Sequence, residues 1–477
     1  MAARDRLIAL LGRDAVLTEP SDTARYLTDH RRLYVGRALA VLRPRSVDEV
    51  AHAVAWCHAE GIGVVPQGGN TGYCGGATPD ATGAQVVVSL ERLNRIRGID
   101  ATNDTLTAEA GCTLAAVQAA AAAVDRLFPL SLGSEGTCQI GGNLATNAGG
   151  TAVLRYGMMR DLALGLEVVL ADGTRWSSLS GLRKDNTGFD LDDLLIGSEG
   201  TLGIITAASL RLYPAVRSRA TAWIGVRDPD CALAVLARLR SGCGDRLSTC
   251  ELVPDVALSL VVEHIPGSRL PLAAATPWNL LVEIGSSTVD ENLDELLQRV
   301  LAPAIEDGEA IDVVLAGTLA QRDALWRLRE SVPEAQRQSG ASLKHDLSVP
   351  VSALPRLIRD GTALAERVAP EGFVVAYGHV GDGNLHFNLN QRPGAQRASF
   401  DAREAPLRRA LHDLVASLGG SFSAEHGIGR LKVDELARYA PPARLAAMRA
   451  IKQALDPIGI LNPGKVLASN DDGGRQP

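Results

Sequence analysis

Several features that would redirect the reading of this chain are missing. No uninterrupted apolar run reaches the roughly 18–20 residues of a membrane-crossing helix, so a transmembrane segment is not expected. The opening stretch "MAARDRLIALLGRDAV" carries acids and lacks a signal peptide's cleavage pattern; it reads as an amphipathic helix. Cysteine is odd in number, at seven, and no C-x-x-C pair occurs, Cys243 and Cys250 being the closest two. In a large chain without a signal sequence the cysteines read most simply as reduced thiols, which points to the cytoplasm, with peripheral membrane contact left open. Excess positive charge is also absent: a net charge of −7 argues against a broad nucleic-acid surface. Neither a G-x-x-x-x-G-K-[ST] phosphate loop nor a G-x-G-x-x-G turn after a strand is found.

Apolar material and glycine are plentiful. At 477 residues the chain exceeds one comfortable core, and two or three domains are expected. Strand and helix patterns intermingle over residues 1–215, where Ser46 is a fair N-cap for "VDEVAHAVAWCHAEG" and "ITAASLRLYP" closes the region. Residues 216–415 alternate strands such as "ATAWIGV" and "NLLVEIG" with helices, which predicts a sheet covered by helices, an α+β layer. Residues 416–477 form a C-terminal helical segment in which Pro457 stops a helix and "SNDDGGRQP" reads as a frayed tail.

The 48 glycines gather in "PQGGNTGYCGG" (66–76), "GSEGTCQIGGNLATNAGG" (133–150) and "LIGSEGTLGIIT" (195–206). Glycine permits close backbone approach and positive φ, so successive N–H groups can face an anion. Three such loops in one half suit a long pyrophosphate-bearing cofactor. In "YGHVGDGNLHFNLN" (377–390) the Asp382-Gly383 pair predicts a two-residue hairpin turn. That turn would set Gly381 opposite Asn384, Val380 opposite Leu385, and His379 directly opposite His386, with Asn388 on the same face. The convergence suits a metal or substrate corner; a polar hairpin whose histidines bond the backbone is the alternative.

The three glycine clusters resemble those of the vanillyl-alcohol-oxidase-type flavoproteins, which bind FAD through a two-part N-terminal α+β domain. The resemblance implies cofactor contacts from Pro66, Gly68, Gly69, Asn70, Thr71 and Gly72 in the first loop. The second contributes Gly133, Ser134, Gly136, Thr137, Gly142, Asn143, Thr146, Asn147 and Gly149, and the third Glu199, Gly203 and Ile205. "NPGK" (462–465) is similar to the segment that returns to the flavin, with Asn462 nearest it. The first loop has no histidine for flavin tethering, so FAD is expected to be non-covalent with Cys74 a free thiol.

Within that superfamily "GHVGDGNLHFN" and "SAEHGIGRLK" resemble the D-2-hydroxyacid dehydrogenase branch, which includes D-2-hydroxyglutarate, D-lactate and glycolate dehydrogenases. There the matching His379, His386 and Glu425 would hold a divalent metal, with zinc expected, and His426 would be the general base. Two imidazoles and one carboxylate with an open position is a catalytic rather than structural zinc set. Arg329 and Lys344 match the family's substrate-carboxylate residues, and Asn388 joins them. Pro333 departs from the D-2-hydroxyglutarate branch, which commonly has a hydroxyl residue there. The resemblance implies oxidation of a D-2-hydroxy acid, hydride passing from C2 to flavin N5. Electrons would then go to a separate acceptor: an electron-transfer flavoprotein, a quinone or a cytochrome. A homodimer is left open. A flavin-free metal hydrolase built on the same His, His, Glu set is the alternative from another class, and the glycine loops speak against it.

Overall fold

The structure, a computed structural model, describes residues 3–468; the stretch read as a frayed tail lies outside the described residues. The chain forms two compact units. The first runs from the N-terminal helix to Gly150, resumes over Gly157–Ala215 and takes the chain again from Glu425; the second comprises Thr151–Tyr156 and Val216–Ala424. No helix among the described residues is long and apolar enough to cross a membrane.

The first unit holds two main sheets. In one, Val86–Ser89 pairs in parallel with Ala40–Leu42 and Val64–Gln67. Its "VVVS" run is buried throughout, as a strand covered on both faces requires. Helix Val47–Glu60 packs Val50, Val54 and Cys57 into the core beneath that sheet. Ser46 caps it, accepting the Glu49 N–H at 3.2 Å, as its sequence position predicts. The other sheet is antiparallel, in the order Ile96–Asp100, Thr105–Glu109, Ile204–Arg211, Ala163–Val169, Arg175–Ser177. The C-terminal segment closes this unit: Leu461 bridges Val64, and Asn462 donates its N–H to the Val64 carbonyl at 2.7 Å.

The second unit is built on an eight-stranded sheet whose central strands are Ser218–Val226, Trp278–Ser286, Leu247–Pro254, Gly372–His379 and Asn384–Gln391 in spatial order. Pairing is antiparallel throughout. One face carries Cys250, Leu252, Ala376, Leu385, Phe387 and Leu389 into a large apolar core. The opposite face presents Glu251, Tyr377, His379, His386 and Asn388, because side chains alternate along each strand.

The hairpin register differs from the sequence expectation. His386 opposes Tyr377, not His379, and the turn has four residues, Val380–Gly383. A two-residue type I′ turn needs positive φ at both central positions, whereas Gly383 has φ 88° and Asp382 is not left-handed. The Asp382 side chain instead accepts the Asn384 N–H at 3.1 Å. The slide is two residues, so the pleat keeps His379 and His386 on one face.

Behind that face, Phe387 is sealed against Gly361 of helix Leu354–Val368; a Cβ there would meet the ring at 2.9 Å. Gly361→Ala is expected to destabilise by about 1–3 kcal/mol through overpacking. Combined with Phe387→Leu, the same change should be neutral or stabilising, since alanine favours the helix by about 1 kcal/mol. Urea midpoints of the four proteins test this, and an equal loss in both backgrounds refutes it.

Candidate active site

On the polar face of the second unit, Glu251 and His379 are cross-strand partners. Glu251 Oε1 lies 2.6 Å from His379 Nδ1. Arg329, carried on helix Leu319–Glu330, donates from Nε to Glu251 Oε2 at 2.8 Å, and Nη2 lies equally close. All three side chains are buried. Burial by itself raises the Glu251 pKa, but the charges of His379 and Arg329 outweigh it and hold the group at about 2. With Nδ1 facing a carboxylate, the orientation of the His379 ring is fixed by its strand neighbour.

His386 sits beside it, the two ring centres 5.7 Å apart. Its cross-strand partner on the other side is Asp346, whose Oδ1 is 4.0 Å from His386 Nδ1 and accepts the Asn384 amide at 2.9 Å. Each imidazole therefore has a carboxylate on the adjoining strand. Tyr377 packs against His386 at 5.1 Å between ring centres, and the Arg329 guanidinium lies 4.8 Å from the centre of the Tyr377 ring.

The other expected substrate residues fare differently. Asn388 is buried and engaged at both ends: Nδ2 donates to Gln336 Oε1 at 3.0 Å and Oδ1 accepts the His345 N–H at 3.3 Å. Lys344 is exposed and borders an open groove with Arg337, Gln391 and Arg397. Pro333 occupies the first turn of helix Val332–Ser339, where its missing N–H costs nothing. Arg329, matched in sequence to a substrate-carboxylate residue, is already paired with Glu251 inside the protein.

In the first unit the glycine loops converge. A Cβ on Gly69 would strike the Thr137 carbonyl at 2.1 Å, so the first loop lies directly on the second. An added Cβ at Gly72, Gly133, Gly136 or Gly142 would meet open space. Asn70, Asn147, Glu199 and Asn462 all adopt left-handed backbone, which non-glycine residues rarely hold. Asn70 Nδ2 donates to the Thr28 carbonyl at 2.8 Å, and Asn147 Oδ1 accepts the Arg160 N–H at 2.9 Å. Thr146 back-bonds to the Gly142 carbonyl. Gly203 is fixed by packing, since a Cβ would meet Leu195 and Val168 at 2.8 Å, and Ile205 is buried in its strand. Asn462 Nδ2 spans the carbonyls of Gly76 and Glu199 at 2.9 and 2.7 Å. Its buried Oδ1, with Gln139 Oε1 and Thr78 Oγ1, has no hydrogen-bond partner among the described residues. Buried acceptors rarely go unsatisfied, so this cradle of bare backbone and unmet oxygens fits a polar cofactor.

Glu425 and His426 begin the last segment of this unit. The chain leaves the second unit at Ala424, whose N–H points to the Asp346 carbonyl at 3.4 Å. The His426 ring packs edge-on against Tyr73 of the first glycine loop, 4.7 Å between centres, and Tyr73 meets His30 at 5.5 Å.

Comparison with known proteins agrees with both halves. Residues 38–178 match the model of the FAD binding domain family, and residues 215–466 match FAD linked oxidases, C-terminal domain. The chain is 39% identical over 474 residues to D-2-hydroxyglutarate dehydrogenase, mitochondrial, of Bos taurus, covering 98% of this chain and 84% of that one. It is 37% identical over 454 residues to D-2-hydroxyglutarate dehydrogenase of Xanthomonas citri pv. viticola, covering 95% and 94%. Among solved structures, p-cresol methylhydroxylase superposes with a TM-score of 0.76 at 19% identity over 98% of this chain and 97% of that chain, which establishes the fold. The chain thus belongs to the FAD-linked D-2-hydroxyacid dehydrogenases, flavoenzymes of the p-cresol methylhydroxylase fold.

Sequence reasoning missed Glu251 altogether. Its one signal is a lone charged residue inside the strand Leu247–Pro254. Glu251→Gln should cost about 3–5 kcal/mol in urea unfolding, because Arg329 is left buried without its counter-charge. Glu251→Met combined with Arg329→Met should lose clearly less; additive losses would show that the pair is not a unit.

Proposed function

We propose that this enzyme oxidises D-2-hydroxyglutarate to the corresponding 2-oxo acid. Family membership and the two carboxylate-backed imidazoles on one sheet face carry this reading. His379, His386 and Glu425 form the divalent-metal set, zinc being our choice. Asp346 is the cross-strand partner of His386 and its carbonyl takes the Ala424 N–H, which brings the chain entering Glu425 to the same strand. When bound, the ion would supply Lewis acidity toward the substrate hydroxyl and FAD would supply the hydride-accepting chemistry.

The protein's own groups do the rest. His426 accepts the hydroxyl proton, a task suited to an imidazole whose ordinary pKa is about 6.5. Lys344 and the outer N–H groups of Arg329 orient the substrate carboxylates. Asn388, braced by Gln336 and the His345 amide, supports the strand from which His386 projects. The glycine loops and Asn462 hold FAD non-covalently; Cys74 is buried, within 3.5 Å of the Gly427 carbonyl. A separate acceptor would take the electrons that a bound flavin supplies; a relative from Saccharomyces cerevisiae, 32% identical over 471 residues, carries the name D-2-hydroxyglutarate--pyruvate transhydrogenase. Seven buried thiols support a reducing compartment, the cytoplasm in our reading, although the Bos taurus relative is named as mitochondrial. Pro333 favours a second reading, a D-2-hydroxy monoacid such as D-lactate, because it brings no hydroxyl to a distal carboxylate.

Two experiments test this. His386→Ala should keep the visible flavin spectrum while losing stoichiometric metal and most turnover; a variant with near-normal kcat removes His386 from the metal set. Lys344→Ala should lower kcat/KM for D-2-hydroxyglutarate at least about 10-fold more than for D-lactate, the price of one charged hydrogen bond of about 1.5–3 kcal/mol. Equal losses on the two acids would favour the monoacid.

A further inference from the structure

Glu199 was expected to face the cofactor, yet both of its carboxylate oxygens are spent inside the protein. Oε1 accepts the Ile428 N–H and Oε2 the Gly429 N–H, each at 2.7 Å. These amides belong to the turn that directly follows His426. Gly427 and Gly429 are both left-handed, with φ of 71° and 51°, so consecutive N–H groups on this turn face one anion-shaped acceptor. The fit is tight: a Cβ on Gly427 would reach Glu199 Oε1 at 2.8 Å, and one on Gly429 would reach the Cys74 carbonyl at 2.3 Å. That carbonyl accepts the Arg430 N–H at 2.8 Å and the Leu431 N–H at 3.2 Å. The turn is thus gripped from two sides, by the third glycine loop through Glu199 and by the first through Cys74.

Glu199 is itself fixed against its intrinsic preference. Its φ is +53°, its N–H donates to the Ala145 carbonyl at 2.8 Å, and its own carbonyl accepts from Asn462 Nδ2 at 2.7 Å. A strained non-glycine residue locked by three separate segments marks a position where side-chain direction matters.

We infer that Glu199 is a positioning residue for the base His426, acting through the Gly427–Ile428–Gly429 turn. The inference rests on the reading of His426 as the base. It assigns the glutamate of the third glycine loop to the catalytic segment: the loop holds the proton-accepting ring at a fixed place relative to the flavin cradle. Burial raises the Glu199 pKa, and the two amides and Lys432 work against that rise. Acceptor geometry alone distinguishes the variants, since glutamine offers one acceptor oxygen where glutamate offers two. In Glu199→Gln, one amide loses its partner and meets an N–H instead, whatever the charge.

The test compares the holoenzyme with Glu199→Gln, Glu199→Asp, His426→Ala and the His426→Ala/Glu199→Gln double variant. Flavin content, steady-state kinetics, the solvent deuterium isotope effect and amide exchange over residues 427–430 are measured. Glu199→Gln should retain flavin and KM, lose about 10²-fold in kcat, as a misplacement of about 1 Å can cost, and show a larger solvent isotope effect. Exchange at Ile428 and Gly429 should accelerate. Glu199→Asp, which keeps two acceptors, should recover part of the kcat. In the His426→Ala background, Glu199→Gln should cost nothing further, because two residues acting as one unit are not additive. Loss of flavin from Glu199→Gln, an unchanged kcat, or the same fold-loss with and without His426 would each overturn the inference. Near-normal turnover in His426→Ala would instead overturn the base assignment on which it stands.

Discussion

A buried carboxylate lying between a guanidinium and an imidazole is the constraint around which the second unit is organised. Glu251 has no contact with solvent, and removing an ion of that size from water costs several kcal/mol unless partners repay it. Arg329 and His379 are those partners, and they come from a helix and from the neighbouring strand. Helix Leu319–Glu330 must therefore lie where its arginine reaches the sheet, and strand Gly372–His379 must pair at the register that puts His379 opposite Glu251. The same contacts decide which imidazole nitrogen faces outward. A requirement to pair a buried charge thus becomes a requirement of geometry.

The sheet separates tasks by parity. Odd and even positions along Asn384–Gln391 serve different masters: Leu385, Phe387 and Leu389 fill the core, while His386 and Asn388 work on the other face. Polar residues on the working face are braced by one another, as in the chain Asn388, Gln336, Asn390. Such networks rigidify when fully satisfied. In the first unit rigidity is obtained differently, by glycine loops pressed onto one another and by asparagines held in left-handed backbone.

How much of this was legible beforehand follows from the range of each signal. Glycine clusters announce close backbone approach locally, and the first two loops do press directly on one another. Ser46 announced its helix for the same reason. The shared face of His379 and His386 survived a wrong turn type because the error was two residues, which leaves parity intact. Pairings between distant strands leave no local trace: Glu251 and His379 are 128 residues apart, and nothing near either names the other. For the same reason nothing in the sequence signals that Arg329 pairs with Glu251, or that the Glu199 carboxylate takes amides 229 and 230 residues further along the chain.

The return of the chain to the first unit after Glu425 has a consequence for biosynthesis. Ile460 and Leu461 belong to that unit's apolar core, and Asn462 joins two of its loops. A ribosome delivers these residues only after the whole intervening unit has been made. The first unit must therefore wait, with the edge that Leu461 covers still open, while the second acquires a complete sheet. In such a chain the late-arriving strap is what closes the sheet edge at Val64 and ties the Gly76 and Glu199 loops together.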